Sequence, residues 1–136
     1  MTIKLASDSI DLAIVTANPE AMTTFYRDVL GLEDAGQTAA RTTPGGVVRQ
    51  FLCGTTTIKL VTYASPPPAR APGGGPRLAT GYRYWAIHVT NLEEVVAACE
   101  GAGRPIVVPI KEISPGVRVA IVEDPDGNWV EFLASS

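Results

Sequence analysis

Two polar side chains occupy matching places in two similar stretches of this 136-residue chain. Residues 82–91 read YRYWAIHVTN and residues 9–18 read SIDLAIVTAN. When the two stretches are aligned from their first residues, Asp11 falls on Tyr84. A carboxylate can accept a proton, and a phenol can donate a hydrogen bond to a developing negative charge. This pair is therefore the first candidate for chemistry.

Two further charged residues, Lys59 and Glu131, lie on predicted strands in the first and second halves of the chain. Side chains alternate between the two faces of a strand, so Lys59 shares a face with Thr57, and Glu131 shares one with Trp129. The chain thus offers an ammonium cation, two carboxylates, a phenol and an indole that could bind or transform a small molecule.

The elements that must position these residues follow the same order, β-α-β-β-β, in residues 9–63 and 82–134. Each half begins with an alternating, β-branched strand, predicted at residues 10–16 and 82–90, and the asparagine that follows, Asn18 or Asn91, is typical of a helix N-cap. Three strands separated by glycine-containing turns follow each helix. A module of roughly 55 residues buries only a marginal core alone, so we expect the two modules to pack with their sheets curved toward each other.

Residues 64–81 are rich in proline and glycine and cannot form a regular helix or strand. One interpretation is a linker between the two modules. The other is a flap over a pocket, in which Arg70 and Arg77 meet an anionic ligand. Both interpretations can hold together, because a connection of this length is unusual in a compact domain.

The composition bounds the classes of function. The apolar fraction is 46% and no apolar run approaches the ~18 residues that span a bilayer, so we expect a cytoplasmic protein without a membrane partner. A net charge of −3 and a pI near 5.1 argue against nucleic acid as a partner. Cys53 and Cys99 lie in apolar patterns and are interpreted as buried thiols.

Two motifs resemble a known superfamily. Residues 25–32, FYRDVLGL, and residues 124–128, DPDGN, followed by Val130-Glu131-Phe132, are similar to signatures of the vicinal oxygen chelate proteins. That superfamily includes glyoxalase I, extradiol dioxygenases, and fosfomycin and bleomycin resistance proteins. The resemblance implies one α+β domain in which paired βαβββ modules form a curved, partly open mixed β-sheet barrel with helices outside. It also implies a homodimer.

Metal-dependent members of the superfamily hold a divalent ion with one ligand on each of four strands, and the matching positions here are Asp11, Lys59, Tyr84 and Glu131. A charged lysine has no acceptor and cannot coordinate a metal. The resemblance therefore implies a chain without the usual metal, and we expect no cofactor. His88, the only histidine, lies about 13 Å along the strand from Tyr84. It is either a core or rim histidine, or an acid, base or ligand contact.

In the family geometry the four matching residues point into a concave cavity. One interpretation is a polar network that satisfies itself, with Lys59 paired to Asp11 or Glu131. The other is that Lys59 replaces the metal and holds a ligand oxygen, while Glu131 or Asp11 acts as a base and Tyr84 as a donor. The protein would then be a metal-free isomerase, epimerase, lyase or cyclase acting next to a carbonyl.

Two other functions remain open at the level of sequence. Bleomycin resistance proteins sequester a drug without chemistry, and Trp129 could stack on a flat ligand in the same way. A metal-dependent, glyoxalase-like lyase with unusual ligands is the third possibility.

Overall fold

The computed structural model describes all 136 residues and divides them into two compact units, residues 1–68 and 69–136. The first unit contains β1 (Leu12–Val15), α1 (Pro19–Thr23), a π-helical turn (Thr24–Val29), β2 (Glu33–Ala39), β3 (Gly46–Cys53) and β4 (Thr56–Tyr63). Its four-stranded sheet has the order β1-β4-β3-β2, with β1 parallel to β4 and the other neighbours antiparallel.

The helix of the first unit begins at Pro19 after Asn18, as the sequence predicts, but its second half is not an α-helix. The N–H of Leu30 donates to the carbonyl of Phe25 at 2.9 Å, which is the i+5 spacing of a π-turn. The wider turn accompanies two consecutive buried aromatic residues, Phe25 and Tyr26, whose rings meet edge to face at 4.9 Å. Gly31, with a φ of +74°, ends the segment.

One face of the first sheet forms the core of its unit. Phe51, Ile58 and Leu60 are almost completely buried, as is Met22 on α1. Phe51 and Ile58 are register partners, so both project from the helix side of the sheet. Because side chains alternate, Lys59 lies on the opposite face, which carries no helix of this unit.

The second unit repeats this plan. It contains a 3₁₀ turn (Gly75–Arg77), β5 (Tyr84–His88), α2 (Leu92–Gly101), β6 (Ile106–Ser114), β7 (Val117–Glu123) and β8 (Trp129–Ser135). The sheet order is β5-β8-β7-β6. The proline in β6, Pro109, lies where the β6–β7 register shifts, and β6 is an edge strand, where a proline is tolerated.

The core of the second unit lies between its sheet and α2. Leu92 and Cys99 on the helix are fully buried, and so are Val122, Val130 and Phe132 on the strands. Burial in this core raises the pKa of the Cys99 thiol to about 11, which keeps the thiol protonated and unreactive at neutral pH. The prediction that Cys99 is a buried structural residue is confirmed.

Two open, four-stranded mixed sheets with few helices confirm the predicted α+β class. The first strand of each unit is shorter than predicted, because β1 covers 12–15 rather than 10–16, and β5 covers 84–88 rather than 82–90. Asp11 therefore immediately precedes β1, whereas Tyr84 begins β5. Neither of the two α-helices has the length and apolar character needed to cross a bilayer.

Candidate ligand-binding faces

The first unit pairs two of the predicted site residues. Ala13 on β1 lies beside Lys59 on β4, and Asp11 lies two residues before Ala13 on the same face. The Nζ atom of Lys59 is 2.9 Å from the Oδ2 atom of Asp11. The two side chains are 33% and 53% exposed, so the ion pair is open to solvent and to any ligand on this face.

Gln50 on β3 is the register partner of Lys59 on its other side, and sequence analysis did not single it out. The two residues therefore project from the same face as neighbours. The signal was present in the sequence, because the hairpin closes with Cys53 opposite Thr56 around Gly54 and Thr55. Three residues before Cys53 and three residues after Thr56, Gln50 stands opposite Lys59.

The second unit gathers four predicted residues, Tyr84, His88, Trp129 and Glu131, and their neighbours on one sheet face. Tyr84 lies beside Trp129, Ala86 beside Glu131, and His88 beside Leu133. The predicted orientation of Trp129, on the same side as Glu131, is confirmed. Glu131 also has an apolar partner, Ile121, on β7.

The carboxylate of Glu131 forms no hydrogen bond or ion pair within the chain, although the residue is partly buried. Tyr84 is 55% exposed, so its phenol is accessible. His88 is exposed as well, which excludes the interpretation of His88 as a core residue. In contrast to the ion pair of the first unit, this face presents a carboxylate, a phenol and an imidazole that ligands can reach.

Trp129 is held in place on both an edge and a face. Its Nε1–H donates to the Oε1 atom of Glu123 at 3.3 Å. Gly75 lies on the face of the indole, since a Cβ atom at Gly75 would stand only 2.6 Å from three ring atoms. A flat ligand can therefore stack on at most one face of Trp129.

A short segment, residues 72–77, carries Gly75, and we call this segment the strap. The guanidinium of Arg83 binds three strap carbonyls: Nε donates to Gly75 at 2.8 Å, and Nη2 donates to Pro72 at 2.6 Å and to Gly73 at 3.0 Å. Arg83 was not identified from the sequence as a functional or structural residue. Arg83 thus fastens the strap within the second unit, where Gly75 of the strap covers one face of Trp129.

The two arginines that were predicted to contact an anionic ligand, Arg70 and Arg77, have exposed side chains. Neither forms an ion pair or a hydrogen bond to another side chain. Their predicted contact with an anionic ligand stays a prediction.

A groove of ≈ 330 Å³ lies on the helix side of the first sheet, away from Lys59. Its lining residues are Pro19, Glu20, Thr23, Thr24, Arg27, Gln37 and Arg49. Arg49 contacts Asp34 at 2.6 Å and Arg27 contacts Asp28 at 2.8 Å, so internal carboxylates already neutralise both cations. The groove therefore offers no unpaired cation to an anionic ligand.

The side chains do not fit the divalent metal that metal-dependent members of the resembled superfamily hold. No group of three His, Cys, Asp or Glu residues lies close enough together to hold an ion. In the first unit Asp11 contacts an ammonium that repels a dication, and in the second unit Glu131 has apolar register partners, Ala86 and Ile121. We therefore derive no chemical step through a metal.

Two units of identical element order define a protein built from paired βαβββ modules. The model of the Glyoxalase/Bleomycin resistance protein/Dioxygenase superfamily matches residues 10–132. The chain belongs to this superfamily, as the motifs predict. The comparison with curated proteins found no match.

Solved structures share the fold. A glyoxalase family protein from Bacillus cereus is 16% identical, with a TM-score of 0.81 over 98% of this chain and 96% of that chain. The trypanothione-dependent glyoxalase I of Leishmania major is 22% identical, with a TM-score of 0.68 over 91% and 84% of the two chains. A domain from Frankia sp. is 13% identical, with a TM-score of 0.74 over 98% and 94%. At these identities the likeness concerns the fold and not the chemistry.

Proposed function

We propose that this protein binds a small organic ligand that bears a carbonyl or anionic group, and that Lys59 takes the part of the metal used elsewhere in the superfamily. One observation carries the proposal: an accessible ammonium, paired only with Asp11, stands at a position that matches a metal ligand of the family. A fixed cation can stabilise the oxyanion of an enolate, which is the task of a metal acting as a Lewis acid.

On the first face, Lys59 and Asp11 supply a minimal set of groups for proton transfer next to a carbonyl. The ligand oxygen binds an Nζ–H of Lys59, which has two donors beyond the one directed at Asp11. Asp11 Oδ2 then accepts the α-proton, and the electron pair of the broken C–H bond moves into the enolate that Lys59 stabilises. Return of the proton to another position or face gives isomerisation or epimerisation.

On the second face, Glu131 and Tyr84 are a second candidate pair. Tyr84 precedes Ala86 by two residues, as Asp11 precedes Ala13, so each lies diagonally next to the charged residue of the last strand. Glu131 has no partner to release before it accepts a proton, and Tyr84 can donate a hydrogen bond to a ligand oxygen. In this proposal the general base is either Asp11 or Glu131, and the variants described below distinguish the two residues.

The test follows exchange of α-protons with solvent deuterium by NMR for a panel of small 2-oxo and 3-oxo acids, with a chelator present. We expect exchange that Lys59→Met abolishes and that Lys4→Met, which removes an exposed lysine from the N-terminal segment, leaves intact. Asp11→Asn and Glu131→Gln then identify the base. Full activity and ligand binding in Lys59→Met would overturn the proposal.

The second candidate function is sequestration of a flat organic molecule without chemistry. It is favoured by the indole of Trp129, which Glu123 and the strap hold in one orientation as a preformed stacking surface. Tight binding of an aromatic ligand that is recovered unchanged, and that Trp129→Leu abolishes, would select this function. Loss of binding in Lys59→Met but not in Trp129→Leu would select the enzyme.

We also propose that the protein acts in the cytoplasm as a homodimer, as the resemblance to the superfamily implies. Sedimentation equilibrium tests the oligomeric state, with 14.3 kDa as the mass of one chain. A single species of that mass at micromolar concentration would contradict the dimer.

A further inference from the structure

We propose that the first unit carries a carboxylate-binding subsite, in which Lys59 and Gln50 each hold one oxygen of the ligand carboxylate. The inference rests on the proposed function and deepens it, because it narrows the ligand from a carbonyl or anionic compound to a small organic monocarboxylate. The subsite lies on the open face of the first sheet and is formed by residues of the first unit alone.

The register of the sheet brings the two side chains together. Gln50 on β3 and Lys59 on β4 are directly opposed in an antiparallel pair, and such pairs have Cβ atoms about 4.5–5.5 Å apart. Both residues are partly buried, which lets them contact a ligand while their stems are packed. An ammonium and an amide NH₂ group therefore stand side by side on one surface.

The residues that flank this pair are small. Ala13 lies beside Lys59 on β1, and Gly36 lies beside Gln50 on β2, so the row across the sheet reads alanine, lysine, glutamine, glycine. A Cβ atom at Gly36 would meet nothing within 4 Å. The two polar groups thus have open space on each side, where the body of a ligand can lie.

The donor count favours a carboxylate over a carbonyl. Lys59 has three N–H donors, and one of them is directed at Asp11. The amide of Gln50 has two more N–H donors. A carbonyl ligand has one oxygen and satisfies only one of the two groups, whereas a carboxylate has two oxygens and can satisfy both. Asp11 shows that a carboxylate oxygen already finds Lys59 Nζ at 2.9 Å.

The charge of the face favours a monoanion over a dianion. Asp11 balances the charge of Lys59, and Glu33 lies opposite Leu52 in the neighbouring row of the same face. A phosphate dianion would bring two charges to a face that has no surplus cation. A monocarboxylate brings one and also shares Lys59 with Asp11.

The test is a ¹H–¹⁵N NMR titration with benzoate, benzamide and phenyl phosphate, three probes that share a ring and differ in the polar group. We expect benzoate to shift the backbone signals of Lys59 and Gln50 and to bind about tenfold more tightly than either other probe. Gln50→Leu should reduce the affinity for benzoate to that for benzamide, and Gln50→Asn, a smaller change that retains the amide, should retain part of it.

A matched pair of alanine variants tests the location. Ala13→Val fills the space beside Lys59 and should weaken benzoate binding several-fold, whereas Ala86→Val, at the corresponding position of the second unit, should leave it unchanged. Equal affinity of benzoate and benzamide, or full benzoate affinity in both Gln50 variants, would overturn the subsite.

The outcomes also separate this inference from the proposed function. If benzamide binds on the Lys59 face and benzoate binds no more tightly, the carboxylate subsite is wrong while the face remains a ligand site. If none of the probes, nor any oxo acid of the first panel, perturbs this face, both the inference and the proposed function fail.

Discussion

The two units of this chain share a backbone frame and differ in the charges placed on it. In each unit an alanine of the first strand lies beside a charged residue of the last strand. Ala13 lies beside Lys59 in the first unit, and Ala86 lies beside Glu131 in the second. The first unit presents an ammonium and the second a carboxylate. The two units thus share the register and carry central charges of opposite sign.

The partners of these charges differ as well. Lys59 is bound by Asp11, whereas Glu131 lies between apolar register partners, Ala86 and Ile121. The second unit also carries the strap, which Arg83 fastens over Trp129 and which has no counterpart in the first unit. A repeated frame with different side chains on its open faces lets one fold carry several chemistries.

The largest effect is expected where the strap meets the indole. Gly75→Ala should destabilise the second unit by about 3 kcal/mol, because the new Cβ meets Trp129 and the left-handed φ of +71° strains any other residue. Denaturation followed by tryptophan fluorescence measures this unit alone, since Trp85 and Trp129 are the only tryptophans.

Gly81→Ala is the matched control, because Gly81 also has a positive φ, +96°, but open space around its Cβ position. It should cost only the backbone strain, about 1 kcal/mol. Equal losses in the two variants would mean that the contact with the indole contributes nothing, and the strap would no longer distinguish the second unit.

The next effect concerns the fastening of the strap. Arg83→Met removes three charge-assisted hydrogen bonds and should destabilise the second unit by about 2 kcal/mol, while exposing Trp129 to a soluble quencher. Arg83→Lys should rescue part of the loss, because one ammonium can reach fewer of the carbonyls. Unchanged quenching in Arg83→Met would show that the strap keeps its place without Arg83.

A smaller effect compares the two central charges. Glu131→Leu should stabilise the second unit by about 1 kcal/mol, since it replaces a partly buried carboxylate beside Ile121 with an apolar side chain. Lys59→Met should change stability by less than about 1 kcal/mol, because the ion pair with Asp11 is exposed to solvent. Strong destabilisation by either variant would mean that these charges serve the fold, and the comparison of the two faces would lose its functional meaning.

The sequence predicts the frame well for identifiable reasons. Alternating β-branched residues, Asn18 before Pro19, and the turn at Asp124–Asn128 are local signals, and the structure follows them closely. The π-turn after Thr23 escaped prediction, because it accompanies the packing of two adjacent aromatic residues and not a helix-breaking residue.

The candidate faces were predicted only in part. Strand alternation correctly placed Trp129 with Glu131, and it allowed the pairing of Lys59 with Asp11 as one of two alternatives. The fastening of the strap by Arg83 depends on three carbonyls ten or so residues away, and no local pattern encodes such contacts. Gln50 required the register of a hairpin, which only the position of its turn determines.

The smallest expected effect is the response of the ion-paired carboxyl groups of the two units to acid. In the first unit, the backbone N–H of Gly36, together with Arg49, lowers the pKa of Asp34, and a hydrogen bond from Arg27 lowers the pKa of Asp28. In the second unit, a hydrogen bond from Arg118 lowers the pKa of Glu93. These ion-paired carboxyl groups number two in the first unit and one in the second, which also buries Asp124, a carboxylate that accepts hydrogen bonds from the backbone N–H groups of Asp126 and Asn128.

A carboxyl group with a lowered pKa in the folded state stabilises that state fully above its unfolded pKa of about 4 and loses this contribution as the pH falls through the folded pKa. We thus expect the first unit to lose stability between pH 6 and pH 3, as measured by urea denaturation with residue-resolved NMR. Asp34→Asn should reduce the acid sensitivity of the first unit, whereas Asp8→Asn, an exposed aspartate without an ion pair, should not. An unchanged slope in Asp34→Asn would show that this helix-side ion pair contributes nothing to the acid response of the first unit.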